Sequence, residues 1–202
     1  MDSVKELLII LISSSLVSNV VLSQFLGLCP FLGVSKKIKT AAGMGMAVIF
    51  VITLASAVAG VIYQFVLVAL GIEYLQTIVF ILVIAVLVQF IEIFLHKYMV
   101  ALYNSLGVYL PLITTNCCVL GVCILNFTNG YNYLEALFCA AGSGFGFMAA
   151  MVMFSGVRKR VDAANPPECF KGLPITLVAA SITSLSFMGF GGIMNSIFGI
   201  AA

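Results

Sequence analysis

Six long apolar runs, separated by short polar segments, account for almost the whole chain. They cover about residues 7–34, 41–70, 74–95, 98–125, 132–156 and 173–200. A helix of about 20 apolar residues crosses the hydrocarbon core of a bilayer, so every run is long enough to span a membrane. The pattern predicts an all-α membrane protein with six transmembrane helices.

Composition supports this fold class. Of 202 residues, 63% are hydrophobic and 8% are charged, whereas a soluble domain carries about 25% charged residues. The connecting segments leave no room for a second domain, so we expect one integral membrane domain over residues 1–202. The net charge of +2 and the absence of a long basic cluster give no indication of nucleic-acid binding. The first run is too long for a signal-peptide core, and we expect it to be retained.

The cationic residues predict the orientation. The loops after runs one, three and five must share one side of the membrane, and cytoplasmic loops carry an excess of Lys and Arg. These three loops contain eight of the nine Lys and Arg residues: Lys36, Lys37, Lys39, Lys97, Arg158, Lys159, Arg160 and Lys171. We therefore expect them to be cytoplasmic, with both termini outside.

A short motif occurs twice. Cys29 and Cys117 are 88 residues apart, and each is followed three residues later by Leu-Gly-Val. This offset carries run one onto run four. An odd number of spans separates the copies, so they run in opposite directions through the membrane, as in inverted-repeat membrane proteins. We predict one repeat over about residues 1–96 and a second over about 97–202.

Runs one and four are also predicted to be broken helices. Residues 7–34 as one helix would cover roughly 42 Å, against a hydrocarbon core of about 30 Å. Gly27 and Pro30 flank Cys29, and Pro111 precedes Cys117. Proline removes a backbone donor and disfavours helix in the residue before it. Because the two breaks enter from opposite faces, Cys29 and Cys117 are expected to approach one another near the midplane.

Two thiolates at one site indicate a soft metal or an iron–sulfur cluster. A cluster usually takes four cysteines, so a second, similar chain would have to supply the other pair. Packing is the competing interpretation for every cysteine, because a buried thiol behaves as a small hydrophobe. It is favoured for Cys118, Cys123 and Cys139, while Cys169 is expected to be an unpaired loop thiol.

The stretches "NVVLSQFLGLCPFLGVSKKIKT" and "LYNSLGVYLPLITTNCCVLGV" resemble the family of the A-type subunit of the bacterial Rnf complex. A close relative is the E-type subunit of the sodium-pumping NADH:quinone oxidoreductase. The resemblance implies that this chain pairs with an inverted homologue, the Rnf E-type subunit. It implies a shared [2Fe-2S] cluster with two cysteines from each chain, at Cys29 and Cys117 here. The doubled "NCC" leaves Cys118 open as an alternative to Cys117, and the repeat alignment favours Cys117.

The resemblance also implies an activity and a location. The family complex lies in the bacterial cytoplasmic (inner) membrane, passes electrons from reduced ferredoxin to NAD, and exports Na⁺ or H⁺. No flavin or nucleotide is expected on this chain, because "GSGFGF" at 142–147 lies inside an apolar run and fails the context of a dinucleotide-binding loop. We interpret it as close helix packing. We expect no catalysis by the chain alone.

Several polar residues near the motif have two interpretations each. Asn116, with Thr114 and Thr115, would hydrogen-bond either the cluster sulfurs or the backbone freed by Pro111. Asn19, Ser23 and Gln24 would line an ion path or bond neighbouring helices. No carboxylate lies in the middle of a run, where a proton relay usually needs one. The competing function is a small-solute or ion transporter without a redox role.

Overall fold

In the computed structural model the described residues are 2–35, 38–67, 71, 73–98, 116–164 and 166–198. Within them the chain is helical and contains no strand, as the apolar pattern predicts. The α-helices of these segments are α1 (Asp2–Ile12), α2 (Leu28–Val34), α3 (Ile38–Ile62), α4 (Gln76–Tyr98), α5 (Cys117–Thr128), α6 (Tyr133–Ala163) and α7 (Leu173–Phe198).

The first apolar run is interrupted. Helix α1 continues as a π-helical turn over Ser13–Val17, the next ten residues are irregular, and α2 begins at Leu28. The expected break is therefore present, but it lies ahead of Cys29 rather than around it. Pro30 is the third residue of α2, where a missing N–H costs no helical hydrogen bond.

Helices α3 and α6 form the centre of the molecule and pack closely along one another. A methyl group added at Gly144 of α6 would lie 2.9 Å from the Ile49 Cα, and one added at Gly45 of α3 would lie 2.8 Å from the Met148 Cβ. Only glycine permits backbones to approach this closely. The interpretation of "GSGFGF" as a close-packing segment is confirmed.

Two predicted boundaries are corrected. Helix α6 runs to Ala163, seven residues beyond the predicted end of run five at 156, so Arg158 belongs to a helix rather than to a loop. Helix α4 continues through His96 and Lys97 to Tyr98. The first part of run four, with Pro111, Thr114 and Thr115, lies outside the described residues, and α5 begins at Cys117.

Six apolar helical segments lie within the described ranges. Three are long and apolar enough to cross a bilayer, namely Thr40–Phe65, Gln76–Ile93 and Tyr133–Ala163. Three are shorter, namely Leu7–Leu16, Cys117–Thr128 and Leu173–Gly189. The chain is an integral membrane protein with interrupted as well as continuous helices; six spans in inverted repeats stay a prediction.

Candidate metal centre

The first candidate ligand, Cys29, stands at the start of a short helix. Gly27 precedes α2 with φ 83°, ψ 24°, a left-handed conformation that glycine adopts without the steric cost a side chain brings. This turn redirects the irregular segment into α2, whose second residue is Cys29. The thiol of Cys29 is on the surface of the isolated chain.

The second candidate, Cys117, is the first residue of α5. Asn116 is the N-cap: its side-chain Oδ1 accepts a hydrogen bond from the Cys118 backbone N–H at 3.1 Å. Such a cap satisfies one of the free N–H groups at a helix start. It also fixes where the helix begins, and so places Cys117, whose thiol is exposed like that of Cys29.

The two motif copies meet in space. The backbone N–H of Gly27 donates to the Cys117 Sγ, with 2.9 Å between nitrogen and sulfur. One helical turn further along α5, a methyl group added at Gly121 would overlap the Leu26 Cδ1, so Leu26 packs directly on that glycine. Gly27 and Cys117, 90 residues apart in sequence, are therefore in direct contact, while the approach of Cys29 to Cys117 near the midplane stays a prediction.

The space around Gly27 is filled from two sides. A methyl group added there would lie 2.9 Å from the Phe147 Cε2, 3.1 Å from the Asn116 Oδ1 and 3.1 Å from the Cys118 Cβ. Phe147, on α6, is fully buried. The turn before Cys29 is thus held between α6 and the beginning of α5.

The far end of α2 is fixed by a buried cation. Arg158 of α6 donates through Nη1 to the Leu32 carbonyl oxygen and, at 2.9 Å, to the Ser35 hydroxyl. A guanidinium complements the negative end of a helix and bonds its free carbonyls. The sequence pattern did not predict this role, because it places Arg158 among the loop cations. One available signal was its spacing of four residues from Phe154, which stacks on Phe31 of α2 at 4.3 Å.

The other cysteines lie in different environments. Cys118 and Cys123 face the core with no exposed surface, and Cys139 is partly buried. Cys169 is exposed in a turn over Glu168–Phe170, beside the Lys171–Glu168 ion pair. Of the adjacent pair, Cys117 is the accessible thiol. In the part of the chain that the structure describes, no three His, Cys, Asp or Glu side chains are grouped to hold a metal ion.

The polar residues of the break divide into two groups. Asn19 is buried; its Nδ2 donates to the Gly146 carbonyl oxygen at 2.9 Å, and its Oδ1 accepts from the Val21 N–H at 3.1 Å. This is the inter-helix bonding that the sequence left as one alternative. Ser23 and Gln24, in contrast, are exposed, close in sequence to the exposed Cys29.

These features fit half of an iron–sulfur site. Cys29 and Cys117 offer two accessible thiols on adjoining segments, and thiolate is the ligand that such clusters take. One of the sulfurs already accepts a backbone N–H, a contact that stabilises negative charge on sulfur. Cys117 also opens α5, a helix of 12 residues, whose N-terminal dipole favours an anion at that position.

Comparisons with known proteins show the family of this chain. The family model described as "Rnf-Nqr subunit, membrane protein" matches residues 7–194. The chain is 52% identical over 190 residues to the A-type subunit of the ion-translocating oxidoreductase complex of Syntrophotalea carbinolica, covering 94% of this chain and 98% of the relative.

Two further relatives are similar at the same level. The subunit of the same name from Vibrio cholerae O1 El Tor is 50% identical over 190 residues, covering 94% of this chain and 98% of the relative. The A-type subunit of the Na⁺-translocating ferredoxin:NAD⁺ oxidoreductase complex of Acetobacterium woodii is 50% identical over 186 residues, covering 92% and 97%. The chain belongs to the Rnf-Nqr family of membrane subunits.

Proposed function

We propose that this chain is the A-type membrane subunit of a bacterial ion-translocating ferredoxin:NAD⁺ oxidoreductase complex. In this role Cys29 and Cys117 supply two of the four thiolates that hold a [2Fe-2S] cluster inside the membrane. A homologous subunit of inverted orientation supplies the other two. The observation that supports the proposal is the Gly27 N–H···Sγ Cys117 hydrogen bond, which joins the turn before Cys29 to Cys117; both thiols are exposed on the isolated chain.

The chain's own residues prepare this surface for a metal centre. Gly27 and Asn116 set the starts of α2 and α5, and these starts present the two thiols. Arg158 holds α2 from its other end. When bound, the cluster accepts and releases one electron, so the subunit carries electrons through the membrane while ferredoxin and NAD bind to other chains of the complex.

The same surface favours a protein partner over lipid. Residues 18–27 are irregular, and the side chains of Ser23, Gln24 and Cys29 are exposed on the isolated chain. Irregular backbone and polar side chains at membrane depth persist only where protein or a water-filled cavity covers them. An inverted homologue would cover this surface and bring its own cysteine pair to the same depth.

Cysteine substitution in the intact complex tests the site. Cys29→Ser and Cys117→Ser should each lose the cluster's electron paramagnetic resonance signal and ferredoxin-to-NAD electron transfer, because a hydroxyl holds iron far less well than a thiolate. Cys118→Ser is the matched control, since it changes the adjacent but buried thiol, and Cys139→Ser and Cys169→Ser are further controls. Equal loss in all five variants would refute the assignment.

Metal content tests the partnership. The chain expressed alone should contain no stoichiometric iron or acid-labile sulfide, because it offers two thiolates where a cluster takes about four. Co-expression with the inverted homologue should give iron and sulfide in equal amounts. Stoichiometric iron in the chain purified alone would contradict the shared cluster and return Cys118 to consideration as a ligand.

The competing function is a transporter with no redox role. Interrupted helices also serve solute and ion binding in membrane proteins, so the helices alone do not separate the two functions. The thiols do, because a transporter has no need of an accessible cysteine on both segments. Ion transport that persists in Cys29→Ser and Cys117→Ser membranes without electron transfer would favour the transporter. The same assay, repeated with Na⁺ removed or a protonophore added, identifies the exported ion.

A further inference from the structure

Only one end of the Asn116 side chain has a hydrogen-bond partner. Its Oδ1 accepts the Cys118 N–H at 3.1 Å and so caps α5. Its Nδ2 is buried and has no hydrogen-bond partner in the described part of the chain. The residue as a whole is 3% exposed, so neither bulk water nor lipid compensates the free donor. Buried amide groups are nearly always paired, and this one calls for a specific acceptor.

The location of the amide points to that acceptor. Asn116 directly precedes Cys117, and its Oδ1 lies 3.1 Å from the position of a methyl group added at Gly27. The N–H of Gly27 already donates to the Cys117 Sγ. The Gly27 N–H and the side-chain amide of Asn116 therefore both lie near the candidate metal ligand, the first bonded to its sulfur and the second on the adjacent residue.

Iron binding changes the charge on the sulfur atoms that the surroundings of Cys117 must stabilise. A cysteine that binds iron does so as a thiolate, and the sulfur atoms of a cluster become more negative when it is reduced. In surroundings of low dielectric constant, hydrogen bonds to such atoms strengthen. Hydrogen bonds to the sulfurs are among the features that set the reduction potential of an iron–sulfur cluster.

We propose that Asn116 is a positioning and potential-setting residue. Its Oδ1 fixes the start of α5 and hence Cys117, while its Nδ2 donates to a sulfur atom of the bound cluster and stabilises the reduced state. This inference rests on the proposed function, because it needs the cluster at Cys29 and Cys117. It takes up the alternative, left open by the sequence, that Asn116 hydrogen-bonds the cluster sulfurs.

A redox titration of the intact complex tests this role. The signal to follow is the one that disappears in Cys29→Ser. Asn116→Ser keeps a hydroxyl suitable for the N-cap but removes the amide donor. At a fixed potential, the ratio of reduced to oxidised cluster should fall about tenfold in this variant, which corresponds to a midpoint lower by about 59 mV for a one-electron couple.

Two further variants separate the donor from the cap. Asn116→Ala removes both, so it should lose part of its iron, and the cluster that stays bound should show the lowered midpoint. Asn126→Ser is the matched control, because it removes another buried amide from α5, one that donates to Ser56 and Ala136 instead. Its midpoint should equal that of the unaltered complex.

A direct readout complements the titration. In a complex labelled with ¹⁵N-asparagine, pulsed paramagnetic resonance should detect a nitrogen coupled to the reduced cluster, and the coupling should vanish in Asn116→Ser. An unchanged midpoint in Asn116→Ser, or a missing coupling, would overturn the inference.

The outcomes for the two proposals are distinguishable. If the signal of the unaltered complex persists in Cys29→Ser, the proposed function itself is contradicted. A cluster present with the same midpoint in every Asn116 variant contradicts only the role of Asn116. If Asn116→Ser loses its cluster, Asn116→Asp is titrated instead, because it keeps the cap and the side-chain shape. A midpoint equal to or above that of the unaltered complex then rejects the inference.

Discussion

Gly27 is the residue at which the segment before α2 meets the start of α5. Its φ of 83° turns the chain into α2, its N–H donates to the Cys117 Sγ, and its missing side chain leaves room for Phe147. The left-handed turn alone would tolerate asparagine at moderate cost. The three requirements together leave glycine as the residue that fits.

Substitution of Gly27 should therefore impair the site more than an ordinary turn glycine would. A left-handed alanine costs roughly 1–2 kcal/mol, and overpacking against Phe147 adds about 1–3 kcal/mol. We expect Gly27→Ala to lower the unfolding temperature of the purified complex and to reduce its bound iron. Thermal unfolding and iron analysis on the same sample measure both effects.

Gly71→Ala is the matched control for this variant. Gly71 has φ 68°, but a methyl group added there would meet no atom within 4 Å. It should show the conformational cost without the crowding and keep its iron. If both variants lost iron equally, the contact between Gly27 and its neighbours would have no special part in the site.

The sequence predicts the two candidate ligands but not their surroundings. Cys29 and Cys117 stand out because the motif occurs twice at a fixed offset. The hydrogen bond from Gly27 to Cys117 depends on how distant segments pack, which no local pattern encodes. The burial that distinguishes Cys118 from Cys117 likewise follows from the start of α5, and a doubled cysteine does not reveal where a helix begins.

Among the helices, α6 contacts the first apolar run before, within and after α2. Ahead of α2, Gly146 contacts Asn19; within α2, Phe154 stacks on Phe31. Directly after α2, Arg158 donates to the Ser35 hydroxyl. Helix α2 has only seven residues, too few for a stable helix in isolation. Its position, and with it that of Cys29, is therefore set by the elements packed against it, which include α6, α3 and α7.

The hydrophobic pattern predicts α6 but ends it too early. The apolar run stops near residue 156, while the helix continues to Ala163 because Arg158 finds buried acceptors in Leu32 and Ser35. A pattern that treats every cation as solvated ends the helix at the first arginine. The break before α2 is predicted by Gly27 and Pro30, but its start at Ser18 is not, since no proline or glycine marks it.

Close packing of α6 on the irregular segment gives a second test. A methyl group added at Gly146 would lie 2.5 Å from the Ser15 carbonyl oxygen and 3.1 Å from the Asn19 Nδ2. Gly146→Ala should separate α6 from this segment, at a cost of about 1–3 kcal/mol from overpacking. We expect a lower unfolding temperature and a smaller yield of assembled complex from membranes.

Gly156→Ala, on the same helix, is its control. A methyl group added there meets no atom within 4 Å, and alanine favours a helix over glycine by up to about 1 kcal/mol. This variant should be neutral or slightly stabilising. A loss of stability in Gly156→Ala as large as that in Gly146→Ala would show that α6 tolerates no substitution, and the proposed contact would lose its support.

At the scale of the whole molecule, α6 also makes the predicted orientation testable. Its 31 residues extend about 46 Å, more than the hydrocarbon core of about 30 Å. Its two ends must therefore emerge on opposite sides of the membrane. Lys159 and Arg160 are exposed at its C-terminal end, and Lys171 follows shortly after. Because cytoplasmic loops carry an excess of cations, we expect that end to face the cytoplasm.

Exposed thiols at the two ends of α6 should then react from opposite sides. Cys169 is exposed in the turn after α6, and Asn129 is exposed in the turn before it. In intact cells, a membrane-impermeant maleimide should leave Cys169 unlabelled and should label Asn129→Cys in a Cys169→Ser background. Inverted vesicles should give the reverse, and Cys169→Ser alone supplies the blank. Labelling of Cys169 in intact cells would reverse the predicted orientation, because both termini would then be cytoplasmic.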